Sequence, residues 1–205
     1  KVTGKTYYDV IAHDTVTTFI NDLVTVGAKP MVVQAYLAVE DNSWLQDVMK
    51  MSDFTKGWKE ACILAGATWG GGETPTLKGI IDENSIDLGG SAIGIISPTK
   101  NLIIDKKLRS ADRILLLKSN GINANGLSLA REVAKKLPKG YATKLPSGEM
   151  YGEALLTKTN IYAKLIQDLL KNQIDIHYIS NITGHGLRKI MRARHSFTYI
   201  LDKIF

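Results

Sequence analysis

Cysteine is nearly absent from this chain. Cys62 is the only thiol in 205 residues, so no internal disulfide can form. A lone reduced thiol fits a cytoplasmic protein, and its place on an apolar helix face predicts a core position. Long apolar runs are missing too. The strongest is Ile114-Leu115-Leu116-Leu117, whereas a membrane-spanning helix needs about 20 apolar residues. No membrane role is expected, and no leader segment is read at the N-terminus. The first residue is Lys1 rather than Met, so a piece of a longer protein is expected. Several catalytic signatures are also lacking. There is no Gly-Lys-Ser/Thr phosphate loop and no GxGxxG fingerprint. There is no nucleophile elbow, which leaves a Ser-His-Asp hydrolase without support. His13, His177 and His195 have neither metal-ligand nor triad spacing, and no chemistry is assigned to them.

What is present is ordinary for a folded protein: 44% hydrophobic and 22% charged residues, with a net charge of +6. That much apolar surface excludes intrinsic disorder. The positive excess concentrates near the end, in Arg188, Lys189, Arg192, Arg194 and Lys203 against Asp202. It reads either as a solvated helix face or as a patch for an anionic partner. Without interleaved aromatics or a recognition motif, nucleic acid is not an expected partner.

Periodicity gives a mixed α and β (α+β) pattern in two halves, 1–108 and 109–205, with the polar stretch Lys106–Asp112 as the boundary. In the first half a helix is expected over Thr15–Val26, ended by Gly27, and a strand over Val32–Val39. A second helix, capped by Ser52 or Asp53, carries Phe54, Trp58, Cys62 and Ala65 on one face. A short strand Ala67–Trp69 enters a glycine cluster, and Ile86–Ile96 forms another strand. In the second half, strands are expected at Arg113–Lys118 and Ile174–Ile179, helices at Leu127–Lys136 and Thr159–Leu170, and a basic helix after Gly186.

Four groups of residues are candidates for chemistry. Asp14 is placed just before the first helix, with Asn21 and Asp22 two turns further on. Asp14 and Asp22 share a face, and paired carboxylates suit a cation such as magnesium. The alternative is that Asp14 caps the helix and Asn21-Asp22 face solvent. Next, Gly70-Gly71-Gly72-Glu73-Thr74 follows an apolar strand. Successive glycines bring backbone N–H groups close to a ligand, with a carboxylate at the mouth. Third, Ser119-Asn120-Gly121 and Asn125-Gly126 lie between a strand and a helix, where backbone amides form an anion site. Last, Thr183-Gly184-His185-Gly186 makes a second turn of this kind, with an imidazole that titrates near neutrality.

In this order, together with Gly27-Ala28-Lys29-Pro30, these segments resemble the aminoimidazole ribonucleotide (AIR) synthetase family, the phosphoribosylformylglycinamidine cyclo-ligases. Gly71-Gly72-Glu73-Thr74 is the most specific part of the likeness. The resemblance implies two α/β domains, with the N-terminal sheets of two subunits closing a barrel in a homodimer. It implies ATP and magnesium, with Asp14, Asp22 and Glu73 as catalytic and metal carboxylates. Asn21, Gly71, Gly72 and Thr74 would join them at the nucleotide. Gly121, Asn125 and Gly126, and across the cleft Thr183, Gly184, His185 and Gly186, would face the substrate and its phosphates. The implied reaction is ATP-dependent ring closure of formylglycinamidine ribonucleotide in purine synthesis. Other ATP-using relatives, such as selenophosphate synthetase or thiamine-monophosphate kinase, and a nucleotide-binding module without catalysis, are the alternatives. The sequence departs from the family at Asn123 and Asn181, where histidines are usual, at His185 in place of glycine, and at Lys158 in place of proline.

Overall fold

A computed structural model describes residues 3–83 and 85–202. Lys203 of the basic stretch lies outside them. The elements in chain order are α1 (Tyr8–Val24), β1 (Lys29–Val39), α2 (Asn42–Gln46), α3 (Val48–Ala65), β2 (Thr68–Glu73), β3 (Ile86–Ile95), α4 (Leu127–Lys136), α5 (Tyr151–Ala154) and α6 (Ala163–Lys171), with short 3-10 turns between them. The chain is mixed α and β, as the periodicity predicts.

The three strands form one sheet in the order β2-β1-β3. β1 runs parallel to β2 and antiparallel to β3. The parallel pair requires a crossover, which α2 and α3 supply. Along β1, Val33, Ala35, Leu37 and Val39 alternate onto one face and are buried. α1 and α3 cover that face with Ala12, Val16, Ile20 and Val24 from one helix and Phe54, Trp58, Ala61, Cys62 and Ala65 from the other. Cys62 is core, as expected, and burial pushes its thiol up to about 11. The two helices meet at Gly57, where a Cβ would lie 2.0 Å from the Asp9 carbonyl oxygen. Their backbones touch there because no side chain intervenes.

Several boundaries differ from the sequence reading. α1 begins at Tyr8, so Asp14 is its seventh residue and the capping role is removed. The apolar series Ala12-Val16-Ile20-Val24 carries the helix straight through His13-Asp14, which read as a break. α3 starts at Val48, where Asp47 caps it through the amides of Met49 and Lys50. Glycines 70–72 are not a turn. They continue β2 alongside β1. No ladder forms at Arg113–Lys118 or Ile174–Ile179 among the described residues. β-prone residues become a strand only when a neighbour pairs with them, and here Leu115 is 83% exposed. α4 begins and ends as expected, α6 starts four residues late at Ala163, and Gly186–Arg192 is a 3-10 turn.

The hydrophobic cluster is not confined to the first half. Ala163 and Ile166 of α6 enter it beside α1 and α3. The opposite face of the sheet is open, with Met31, Ile93 and Ile95 exposed. No described helix is long and apolar enough to cross a membrane.

Candidate functional site

α1 is buried along much of its length, and the polar His13, Asp14, Thr17 and Asn21 are among its buried residues. Buried polar groups need partners. Thr17 donates to the His13 carbonyl within the helix. The other three reach across to residues 159–162. Asp14 Oδ1 accepts from the Thr159 amide at 2.9 Å, and His13 Nε2 lies 2.9 Å from the Thr159 carbonyl oxygen. Asn21 donates to the Asn160 carbonyl at 2.8 Å and accepts from the Tyr162 amide at 3.0 Å. Burial raises the Asp14 carboxyl above its ordinary value. The Thr159 hydrogen bonds and the nearby His13 and Lys158 charges oppose that rise only in part.

Asp22, one position on, points to a different neighbour. Its Oδ1 accepts from Asn181 at 2.8 Å and stands 3.7 Å from Lys189 Nζ. Lys189 in turn donates to Thr183 Oγ1 at 2.6 Å. α1 and the Thr183-Gly184-His185-Gly186 turn, far apart in sequence, are thereby joined. His185 and Gly186 both have positive φ, 84° and 61°, which curls the turn before Leu187. Asn181 stands where a family histidine was expected and serves as a hydrogen-bond partner of Asp22.

The Ser119–Gly126 loop is held by its own side chains. Ser119 Oγ donates to the Gly121 carbonyl at 2.5 Å and accepts from Asn123 Nδ2 at 3.1 Å. Asn123 sits at φ 58° and Gly126 at φ 79°, immediately before α4. Asn125 and Gly126 therefore lead into a free helix N-terminus with no side-chain cap. Loop residues Asn123 and Ala124 line a cavity of about 760 Å³ between this region and α1. Asp14, Thr18 and Phe19 form its α1 wall, and Arg131 contributes a cation.

Gly71, Gly72, Glu73 and Thr74 lie at the exposed end of β2. Gly71 has φ 118° and open space where a side chain would be. Gly72 is pressed against Ala35 of β1, 2.1 Å from its carbonyl oxygen to an added Cβ. The close backbone approach at Gly72 is toward the neighbouring strand, not toward a ligand. Among the described residues no three His, Cys, Asp or Glu side chains gather to hold a metal. Asp14, Asp22 and Glu73 thus do not form a three-carboxylate centre within one chain.

Sequence reasoning gave His13 no chemistry, noted Lys158 only as a departure from the family, and read residues 159–162 as the start of a helix. The signal was available: His13, Thr17 and Asn21 recur every four residues, so they share one stripe of the helix. Lys158 makes ion pairs with Asp9 and Glu60, each at 3.3 Å. Burial disfavours its charge, yet the two carboxylates outweigh that and hold the ammonium above the usual lysine range. Of the basic stretch, Lys189 is engaged as described, and Arg194 grips the buried Asp105 with Nη2 at 2.8 Å and Nε at 3.0 Å. Arg188 and Arg192 are exposed.

The fold is thus a mixed sheet covered on one side by helices, with the Ser119–Gly126 and Thr183–Gly186 turns facing α1. Residues 2–96 match the family described as AIR synthase related protein, N-terminal domain. It is 34% identical over 208 residues to a phosphoribosylformylglycinamidine cyclo-ligase of Carboxydothermus hydrogenoformans, covering 97% of this chain and 59% of the relative. It is 36% identical over 195 residues to the cyclo-ligase of Thermococcus kodakarensis, covering 95% and 55%. The chain therefore spans little more than half the length of these curated relatives. Among solved structures, thiamine-monophosphate kinase from Stenotrophomonas maltophilia matches with a TM-score of 0.58 at 18% identity, over 91% of this chain and 54% of that one. E. coli HypE, a hydrogenase maturation protein, matches with 0.57 at 17%, over 88% and 50%. These two share the fold.

Proposed function

We propose that the protein containing this chain is a phosphoribosylformylglycinamidine cyclo-ligase. In that reaction ATP phosphorylates the formyl amide oxygen of formylglycinamidine ribonucleotide. The amidine nitrogen then attacks and phosphate leaves as the imidazole ring closes. One observation carries the reading: 34–36% identity to curated cyclo-ligases along nearly the whole chain, against 17–18% for the kinase and maturation-protein folds.

The donor chemistry suits a magnesium–nucleotide complex. Magnesium is usually held by one or two carboxylates together with substrate phosphates, so a closed cage of three acids is not required. We assign Asp14, Asp22 and Glu73 to the magnesium–nucleotide complex, each at a separate point of it rather than together on one ion, with the amides of Gly71 and Gly72 and the Thr74 hydroxyl beside Glu73. When bound, the ion neutralises phosphate charge. Asn21 supports these groups from behind, since both ends of its amide are engaged. Gly121, Asn125 and Gly126, ahead of the α4 N-terminus, supply amide donors to the substrate phosphate. Thr183, Gly184, His185 and Gly186 close the site from the side of Asp22.

The division into units 1–108 and 109–205, a cytoplasmic location and a homodimer belong to the same proposal. The exposed Met31, Ile93 and Ile95 support a second sheet packing on the open face to close a barrel. The test is phosphate release by the full-length protein given ATP, magnesium and formylglycinamidine ribonucleotide. Release that depends on that substrate and yields aminoimidazole ribonucleotide bears the proposal out. Bound ATP without release rejects it in favour of a sibling activity or a binding module.

A further inference from the structure

Residues 157–162 connect α5 to α6 without regular structure of their own. They are nonetheless bonded on both sides. From α1, His13, Asp14 and Asn21 engage Thr159, Asn160 and Tyr162 through four side-chain to backbone contacts. From the other side, Asn120 Nδ2 donates to the Lys158 carbonyl at 2.6 Å. Gly121 packs so closely on Thr157 that an added Cβ would stand 3.2 Å from the threonine Cβ. Lys158 adds a third anchor by pairing with Asp9 on α1 and Glu60 on α3.

We infer that this segment is a strap through which α1 positions the Ser119–Gly126 loop, with Asn21 and Lys158 as positioning residues. Asn21 is suited to the task because one short amide both donates and accepts, completing two adjacent backbone groups as a neighbouring strand would. An aspartate would lose the donor, and an apolar side chain would lose both bonds. Lys158 adds a charged tie that a proline lacks. The strap thus sets the distance between α1, which carries Asp14 and Asp22, and the loop that opens α4. The inference rests on the proposed function only for its catalytic consequence. The geometry is testable alone.

The test uses the full-length protein with nitroxide labels at Lys56→Cys on α3 and Ser128→Cys on α4, both exposed positions. Cys62 is 3% exposed and takes no label. Pulsed electron resonance then reads the distance distribution between the two elements. A single narrow distribution is expected, displaced or broadened by Asn21→Leu and by Lys158→Met, with the far-ultraviolet circular dichroism unchanged. Asn120→Ala, which cuts the tie beyond the strap, is expected to broaden it as well. If Asn21→Leu does not fold, Thr159→Pro removes the amide bonded to Asp14 and is read in the same way. An unchanged distribution in the folded variants overturns the inference, as does loss of helical signal in all of them. In the cyclo-ligase assay the same variants are expected to lower kcat. A protein without that activity still gives the distance result, so the two readings fail separately.

Discussion

Replacing Gly72 with alanine tests the construction of the β2 end most directly. The added Cβ would lie 2.1, 2.8 and 2.9 Å from the carbonyl oxygen, carbonyl carbon and amide nitrogen of Ala35. All three are backbone atoms in the middle of β1, with no flexible chain end to yield. Nonbonded contacts settle near 3.5 Å, so β2 must retreat by roughly an ångström. The retreat breaks the register at Ala35↔Gly72 and Tyr36↔Glu73. Overpacking of this kind costs about 1–3 kcal/mol and each lost backbone hydrogen bond about 1 kcal/mol more. A loss of about 3 kcal/mol is expected, which lowers Tm by roughly 6–12 °C in a protein of this size. Gly71→Ala is the companion. Its Cβ meets nothing within 4 Å, so only its positive φ is strained, at about 1–2 kcal/mol. Urea unfolding at constant m-value measures both. A Gly72→Ala protein within about 1 kcal/mol of the parent, or more stable than Gly71→Ala, would refute the close-approach reasoning.

Three further outcomes are expected. Glu73→Gln, at an exposed strand end, should weaken magnesium–ATP binding about tenfold or more in calorimetric titration without altering Tm; unchanged affinity removes Glu73 from the site. For Asp14 the folded-state pKa is raised by burial, so its contribution to stability is greatest in acid and falls as pH climbs from the unfolded value through the folded one. Asp14→Asn keeps an oxygen for the Thr159 amide, so unfolding at pH 7 should show equal or greater stability; a clear loss there contradicts the burial account. His177 has one ring nitrogen 2.7 Å from Asp112 and the other 3.1 Å from Asp175, and these hydrogen bonds raise its pKa above 6.5. Its stabilisation is full below pH 6.5 and fades as pH rises through the raised value, so thermal scans from pH 6 to pH 9 should flatten in His177→Gln; parallel curves for both proteins would discount the contact.

The elements with strong local signals were legible in the sequence. α4 has the predicted bounds because its amphipathic pattern is uninterrupted, and Gly66, at φ 67°, ends α3 where a left-handed residue is needed. The core face of α3 follows from period alone. The likeness to the cyclo-ligases, too, could be read from the order of short motifs. Where polar residues are buried, local rules misled. Asp14 looks like a cap because most aspartates beside an apolar run are exposed, and only the partner segment at 159–162 makes its place inside α1 tolerable. The expected strands at 113–118 and 174–179 failed for a related reason, since a ladder is a property of two segments. Side-chain type and period thus determined the helices, the sheet core and the candidate motifs of this protein. Which of those motifs meet was settled by tertiary structure alone: Asp22 beside Asn181, Asp14 and Asn21 along the strap, Glu73 apart at the end of β2. Such pairings join residues well over a hundred positions apart, and the hydrogen bonds that decide them exist only once the chain has packed.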